Sequence, residues 1–144
     1  MTHVAHILQA KGHQIWSIAP QASVFDAIKL MADKEVGALL VMDGQDLVGI
    51  ISERDYARKV ILKGKSSHDT QVREIMTDNV VYVRPEQTVE DCMAVMTSKR
   101  IRHLPVLVDN RPIGVISIGD LVKAQISEHE VRIQQLENYI TGRI

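Results

Sequence analysis

A chain of 144 residues, 45% apolar and 24% charged with a formal net charge of −1, is long enough to bury one good core or two small interdependent ones. Its 17 basic residues are spread along the chain, which speaks against nonspecific nucleic-acid affinity and leaves room only for a smaller anion held locally. The longest aliphatic run, Ala38 to Met42, falls far short of the roughly 20 residues of a membrane helix, no signal-peptide layout opens the chain, and the lone Cys92 excludes an intrachain disulfide, so a soluble cytoplasmic protein with no membrane association is expected.

The first stretch, "THVAHILQAK", reads as a short helix stopped by Gly12. "IWSIA" is a β-branched and aromatic run ended by Pro20, and predicts a strand; "SVFDAIKLMADK" has apolar residues at helical spacing behind a Ser cap. "ALLVMDGQDLVGIIS" is two apolar runs broken by Asp-Gly, a hairpin pattern, and "ERDYARKVIL" is again helical. Polar "KGKSSHDTQV" is the expected linker. Its "GKS" at Gly64 to Ser66 is not a phosphate loop, since that motif needs glycine where Lys59 stands. The same order then recurs: strand "VVYVR", helix "TVEDCMAVMTSK", hairpin "LPVLVDNRPIGVIS" and helix "IGDLVKAQI". That helix continues unbroken to "LENYI", with Leu121, Ile126, Val131, Ile133, Leu136 and Ile140 as an apolar stripe that calls for a partner helix.

Residues 16–58 lie over 81–123 without a gap. Identical pairs are Pro20/Pro85, Val24/Val89, Asp26/Asp91, Met31/Met96, Lys34/Lys99, Leu39/Leu104, Val41/Val106, Gly49/Gly114, Ile51/Ile116, Ser52/Ser117 and Asp55/Asp120. This is an internal duplication. The expected fold is α+β, two βαββα repeats, divided as an N-terminal helix and linker 1–13, repeat 14–63, linker 64–72, repeat 73–125 and a C-terminal helix extension 126–144.

The residues do not suggest an enzyme. No nucleophile lies at telling spacing from a base, and His3, His6, His13, His68, His103 and His129 lack the H-x-x-x-H spacing of a helical zinc site, so neither a catalytic nor a metal site is expected. Cys92, among Val89, Met93 and Met96, reads as core. The chemistry instead gathers at "GIISERD" and "GVISIGD". Ser-x-x-Asp alone is a helix-capping pattern and also occurs at Ser23/Asp26, Ser66/Asp69 and Thr88/Asp91. What distinguishes Ser52/Asp55 and Ser117/Asp120 is a buried strand running directly into the helix start. Backbone N–H groups there can receive an anion, and a carboxylate can accept from a ribose diol.

The two copies, these motifs and "KRIRHLPV" resemble tandem cystathionine-β-synthase (CBS) domains, the paired regulatory unit called a Bateman module, and "SERDYARKV", "EIMT" and "RIRHLPV" are similar to its stand-alone two-copy members. The resemblance implies a pseudo-two-fold pair of repeats with an adenosine compound, AMP, ADP, ATP or NAD, bound in clefts between them. It implies a first cleft of Asp55 at the ribose, Ser52 beside it, Val36, Gly37, Ala38 and Ile50 around adenine, Lys11 and Trp16 flanking, and Arg54, Arg102 and His103 near phosphate. The second would use Asp120 and Ser117, with Ile101, His103, Leu104 and Pro105 on the base side. Gly37 and Ala38 match Arg102 and His103, so the Asp55 cleft is expected to hold a phosphorylated ligand more tightly. The implied function is a non-catalytic sensor, a homodimer that relays occupancy to an unknown regulated partner. The alternatives are a structural or adaptor dimer with empty clefts, and an S-adenosylmethionine or metal-ion sensor.

Overall fold

The computed structural model describes the backbone of residues 1–141 and the side chains of residues 1–137; residues 142–144 of the expected C-terminal extension, and the side chain of Ile140 in its stripe, lie outside the described residues. The chain forms two compact units. One contains Gln14–Val81 with Asp109–Pro112, and the other Met1–His13, Tyr82–Val108 and the residues from Ile113 on. We call them the repeat-1 and repeat-2 units.

In the repeat-1 unit, β1 (Ser17–Ile18) runs parallel to β2 (Ala38–Asp43), which pairs antiparallel with β3 (Asp46–Ser52) in the order β1-β2-β3. A bulge between Val41 and Met42 shifts the register toward the Gly44 turn, where φ is 62°. Helix α2 (Val24–Lys34) buries Val24, Ala27 and Met31, one face at i, i+3 and i+7 spacing, against Leu39, Val41 and Ile51. Next come α3 (Glu53–Tyr56), which passes into a π-helical turn at Ala57–Ile61, and α4 (Val72–Ile75). Val60 of the π turn and Val72 and Ile75 of α4 complete the same core.

The repeat-2 unit is assembled alike from α5 (Val89–Lys99), β4 (His103–Val108), β5 (Arg111–Ser117) from Ile113 on, and α6 (Ile118–Thr141). Helix α5 buries Val89, Cys92 and Met96, the positions matching Val24, Ala27 and Met31, so Cys92 is a core residue. Burial and the neighbouring Asp91 push its thiol up to about 11, so it is not a poised nucleophile. At the β4-β5 turn, Asp109 and Asn110 both have positive φ, 51° and 63°, the type I′ pattern that Asp and Asn tolerate best.

"VVYVR" does not form the expected strand: only Val83 bridges Val106. In the repeat-1 unit the Leu40 N–H donates to the Trp16 carbonyl, extending the parallel pairing, whereas the residue matching Leu40 is Pro105, which has no N–H to give.

Helix α1 (Val4–Lys11), ended by Gly12 as its pattern predicts, belongs to the repeat-2 unit, and α4 belongs to the repeat-1 unit. The helix leading each repeat in the chain therefore packs in the unit of the other. The two placements use the same backbone hydrogen bonds: Val4 N–H to Gln87 O, Ala5 N–H to Pro85 O and Val89 N–H to Thr2 O in one unit; Val72 N–H to Ala22 O, Arg73 N–H to Pro20 O and Val24 N–H to Thr70 O in the other. The polar segment expected as linker thus ends inside a packed helix, because Val72 and Ile75 are apolar and nearly inaccessible.

Candidate functional site: two capped carboxylates

Both Ser-x-x-Asp motifs are reciprocal helix caps. At the end of β3, Asp55 Oδ2 accepts from the Ser52 N–H at 2.9 Å and the Ser52 hydroxyl at 3.1 Å, and the Asp55 N–H donates back to Ser52 Oγ at 3.3 Å. At the end of β5, Asp120 Oδ2 accepts from the Ser117 N–H at 2.8 Å, and the Asp120 N–H donates to Ser117 Oγ at 3.2 Å. Each helix start is further tied to the loop before the first hairpin strand: Glu53 N–H to the Gly37 carbonyl, Ile118 N–H to the Arg102 carbonyl. Capping and an accessible carboxylate coexist, since both aspartates are only half-buried. Of the other spacings, Ser23/Asp26 and Thr88/Asp91 also cap helices, while at Ser66/Asp69 the Asp69 N–H goes to the Ser66 carbonyl.

Each carboxylate carries a lysine, and the two lysines come from different places. Lys59, one turn after Asp55, lies 3.1 Å from its Oδ1 and donates to the Ile75 carbonyl at the end of α4. Its counterpart in the other repeat is Ala124. Asp120 instead meets Lys11, whose Nζ is 2.6 Å from Oδ2 and 2.7 Å from the Val115 carbonyl. Lys11 is available because α1 spans eight residues against four in α4, which carries the chain a further turn along β5. Where α4 has already ended, Thr77 pairs through its backbone with Ile50, the residue matching Val115.

The charges around Asp120 perturb one another. Burial works to raise its pKa, but the hydrogen bonds from Lys11 and Ser117 and the Lys11 charge outweigh it, so the carboxyl is held below its ordinary value. Burial lowers the pKa of His103, helped by Lys11 and Arg102 and opposed by Asp120, so the imidazole favours its neutral form. Lys11, His103 and Asp120 thus form one electrostatic group in the repeat-2 unit. A cavity of about 660 Å³ adjoins it, running between α1 and α6 and lined by Ile7, Ala10, Lys11, Asp120, Lys123 and Ala124 among others. That is within the range of small-ligand sites.

The remaining expected residues divide between the units. Trp16, Val36, Gly37, Ala38, Ile50, Ser52, Arg54 and Asp55 lie in the repeat-1 unit; Lys11, Ile101, Arg102, His103, Leu104, Pro105, Ser117 and Asp120 lie in the repeat-2 unit. Lys11, expected beside Asp55, has its ammonium on Asp120. Trp16 is half-buried against the repeat-1 core with Lys34 Nζ 4.4 Å from its ring centroid, and Leu104, expected on the base side, is a core residue with 0% exposure. Sequence reasoning missed Lys59, although its four-residue step from Asp55 on a predicted helix was a usable signal. The Lys11–Asp120 pair spans 109 residues and left no local trace. Among the described residues, no group of three or more His, Cys, Asp or Glu converges to hold a metal, and no helix is long and apolar enough to cross a membrane.

Comparison with known proteins places this geometry. The sequence model of the CBS domain matches residues 5–62 and again 72–127. The mitochondrial CBS domain-containing protein CBSX3 of Arabidopsis thaliana is 42% identical, covering 98% of this chain and 73% of its own. A solved protein with CBS domains from Burkholderia ambifaria MC40-6, assigned to signal transduction, is 56% identical with a TM-score of 0.85, covering 88% of this chain and 95% of that one. The CBS domain pair of protein MJ0100, solved in complex with 5′-methylthioadenosine and S-adenosyl-L-methionine, is 25% identical with a TM-score of 0.79 over 89% of this chain and 98% of that one. With two matched copies, an α+β structure in which each ends its hairpin on a capped Ser-x-x-Asp, and these neighbours, the chain belongs to the CBS domain family as a tandem pair.

Proposed function

We propose that this CBS pair is a non-catalytic regulatory protein of the cytoplasm that binds an adenosine compound at its Ser-x-x-Asp carboxylates and passes the bound state to a partner as a homodimer. The observation that carries the reading is the Lys11–Asp120 pair lining the α1/α6 cavity, with His103 in its electrostatic field. A charged carboxylate can accept from both hydroxyls of a ribose, and an adjacent ammonium favours an anionic substituent. The adenosine ligands of the MJ0100 pair support the ligand class. AMP, ADP, ATP and NAD satisfy the same chemistry, with the phosphate as the added element.

The balance between the two motifs also changes. Ranking Asp55 first rests on Arg102 and His103 serving its phosphate side. His103, expected in both clefts, lies in the field of Lys11, Asp120 and Arg102, which adds two cations near Asp120 against Lys59 at Asp55. We therefore assign the tighter grip on a phosphorylated ligand to the Asp120 motif. Mass analysis of small molecules released from purified protein, followed by calorimetric titration with AMP, ATP, NAD and S-adenosylmethionine, tests the function. At least one should bind well below about 1 mM, a free energy beyond roughly −4 kcal/mol. Absence of any binding at that level would leave an adaptor with empty sites as the better reading.

A further inference from the structure

Helix α6 has two faces of different fate. Leu121, with 0% exposure, and the half-buried Ala124, Gln125 and Glu128 turn toward their own unit. On the other side Val122, Ile126, Ile133 and Leu136 are 42, 53, 58 and 60% exposed, and exposed His129 lies in line with them. The stripe expected from the sequence therefore splits: Leu121 is core, while Val131 lines the α1/α6 cavity and lies off this line. From Val122 through Ile126, His129 and Ile133 to Leu136 the steps are 4, 3, 4 and 3 residues, a mean of 3.5. These steps set the five residues on one helix face, at the a and d spacing against which a partner helix can pack.

We propose that this face is the seam of a parallel two-stranded coiled coil formed with α6 of a second copy of the chain. The inference rests on the homodimer part of the function proposed above. Ile126 and Ile133 take the a positions, and Val122, His129 and Leu136 the d positions. β-Branched residues at a with Leu at d favour two parallel strands. Charge selects the direction. Arg132 falls at g and Glu137 at the following e, so in a parallel pair each Arg132 meets Glu137 of the second copy, twice by symmetry. An antiparallel pair would set e against e, bringing the glutamates at 130 and 137 together. Arg132 contacts the half-buried Glu128 at 3.3 Å in the single chain, and its own side chain is 68% exposed, free to swing toward a second copy. His129 weakens the seam but fixes its register, because the two imidazoles are best accommodated where they face each other across one layer.

The test is the dissociation constant of the full-length chain by sedimentation equilibrium, with circular dichroism to show that each variant is folded. Wild type should be dimeric, Ile133→Glu should raise the dissociation constant about 100-fold or more, and His129→Leu should lower it about tenfold. Arg132→Glu and Glu137→Arg should each weaken the dimer, and the two together should restore it. A dimer indifferent to Ile133→Glu overturns the seam and leaves the homodimer standing through another surface. A failure of the double variant to restore pairing overturns the parallel direction. A monomeric wild type removes both readings and turns the face over to a helix of a different protein.

Discussion

The glycine that opens each motif is explained by the helix lying over it rather than by the ligand. A Cβ on Gly114 would stand 2.6 Å from Leu8 Cδ2; one on Gly49 would stand 2.5 Å from Met76 Sδ and 3.1 Å from the Thr77 carbonyl oxygen. The chain thus uses glycine where α1, or the turn that follows α4, presses on the last hairpin strand. Leu8 itself has 0% exposure, so its side chain has little room to yield. Gly114→Ala should therefore cost about 1–3 kcal/mol by overpacking, measured by urea unfolding. Leu8→Ala should cost about 2–5 kcal/mol by leaving a cavity. Combined, they should cost clearly less than the sum, because the added methyl occupies space the leucine vacates. Strict additivity would show that the contact is not what the glycine serves.

At the scale of elements, the exchanged helices decide how the chain is partitioned. Helix α1 places Val4, Ile7 and Leu8 in the repeat-2 core at 0, 7 and 0% exposure. At about 1.5–3 kcal/mol for each fully buried side chain, the three together contribute roughly 5–9 kcal/mol, comparable to the whole stability of an ordinary domain. Deleting residues 1–11 should therefore cost the repeat-2 unit its fold, while leaving the contacts of the repeat-1 core intact. Amide hydrogen exchange should show Val89 and Leu107 losing protection while Val24 and Val72 retain theirs. Protection lost equally at all four would mean that the units do not unfold separately. This exchange is also where the sequence stopped being legible. The duplication, α2 and α5, both hairpins and both caps could be read because each is fixed by residues within a few positions of one another. The four-residue α4 has too short an apolar pattern to announce a helix, and Val72 and Ile75 acquire their meaning only from the distant core they enter. The missing second strand was legible in principle from Pro105, whose absent N–H is a property of that one residue. Lys11 was visible as a cation near the first strand, but its partner depended on an extra helical turn meeting β5.

For the whole molecule, binding must appear as stability, because a ligand taken up by the folded chain and not by the unfolded one shifts the equilibrium by mass action. At 100 times the dissociation constant the gain is about 2.7 kcal/mol, which in a chain of this length corresponds to roughly 5–10 °C in Tm. Asp55→Ala and Asp120→Ala each remove the carboxylate half of a reciprocal cap and its lysine pair, so each lowers stability before any ligand is added. The informative quantity is therefore the ligand-induced increment in Tm of each variant, taken against its own unliganded Tm. Removing a charge-assisted contact costs about 1.5–3 kcal/mol, or roughly 10- to 150-fold in affinity. At a fixed AMP concentration, Asp120→Ala should abolish most of the increment and Asp55→Ala a smaller part. The opposite order would return the tighter site to Asp55 and detach Lys11 from phosphate binding. Loss of the whole increment in both variants alike would show that the two motifs are coupled, so that neither holds ligand when the other is disabled. That outcome bears on regulation, since a ligand shifts a conformational equilibrium only by the difference in its affinity for the two states. Two independent sites would grade the response with concentration, whereas two coupled sites would make it steep.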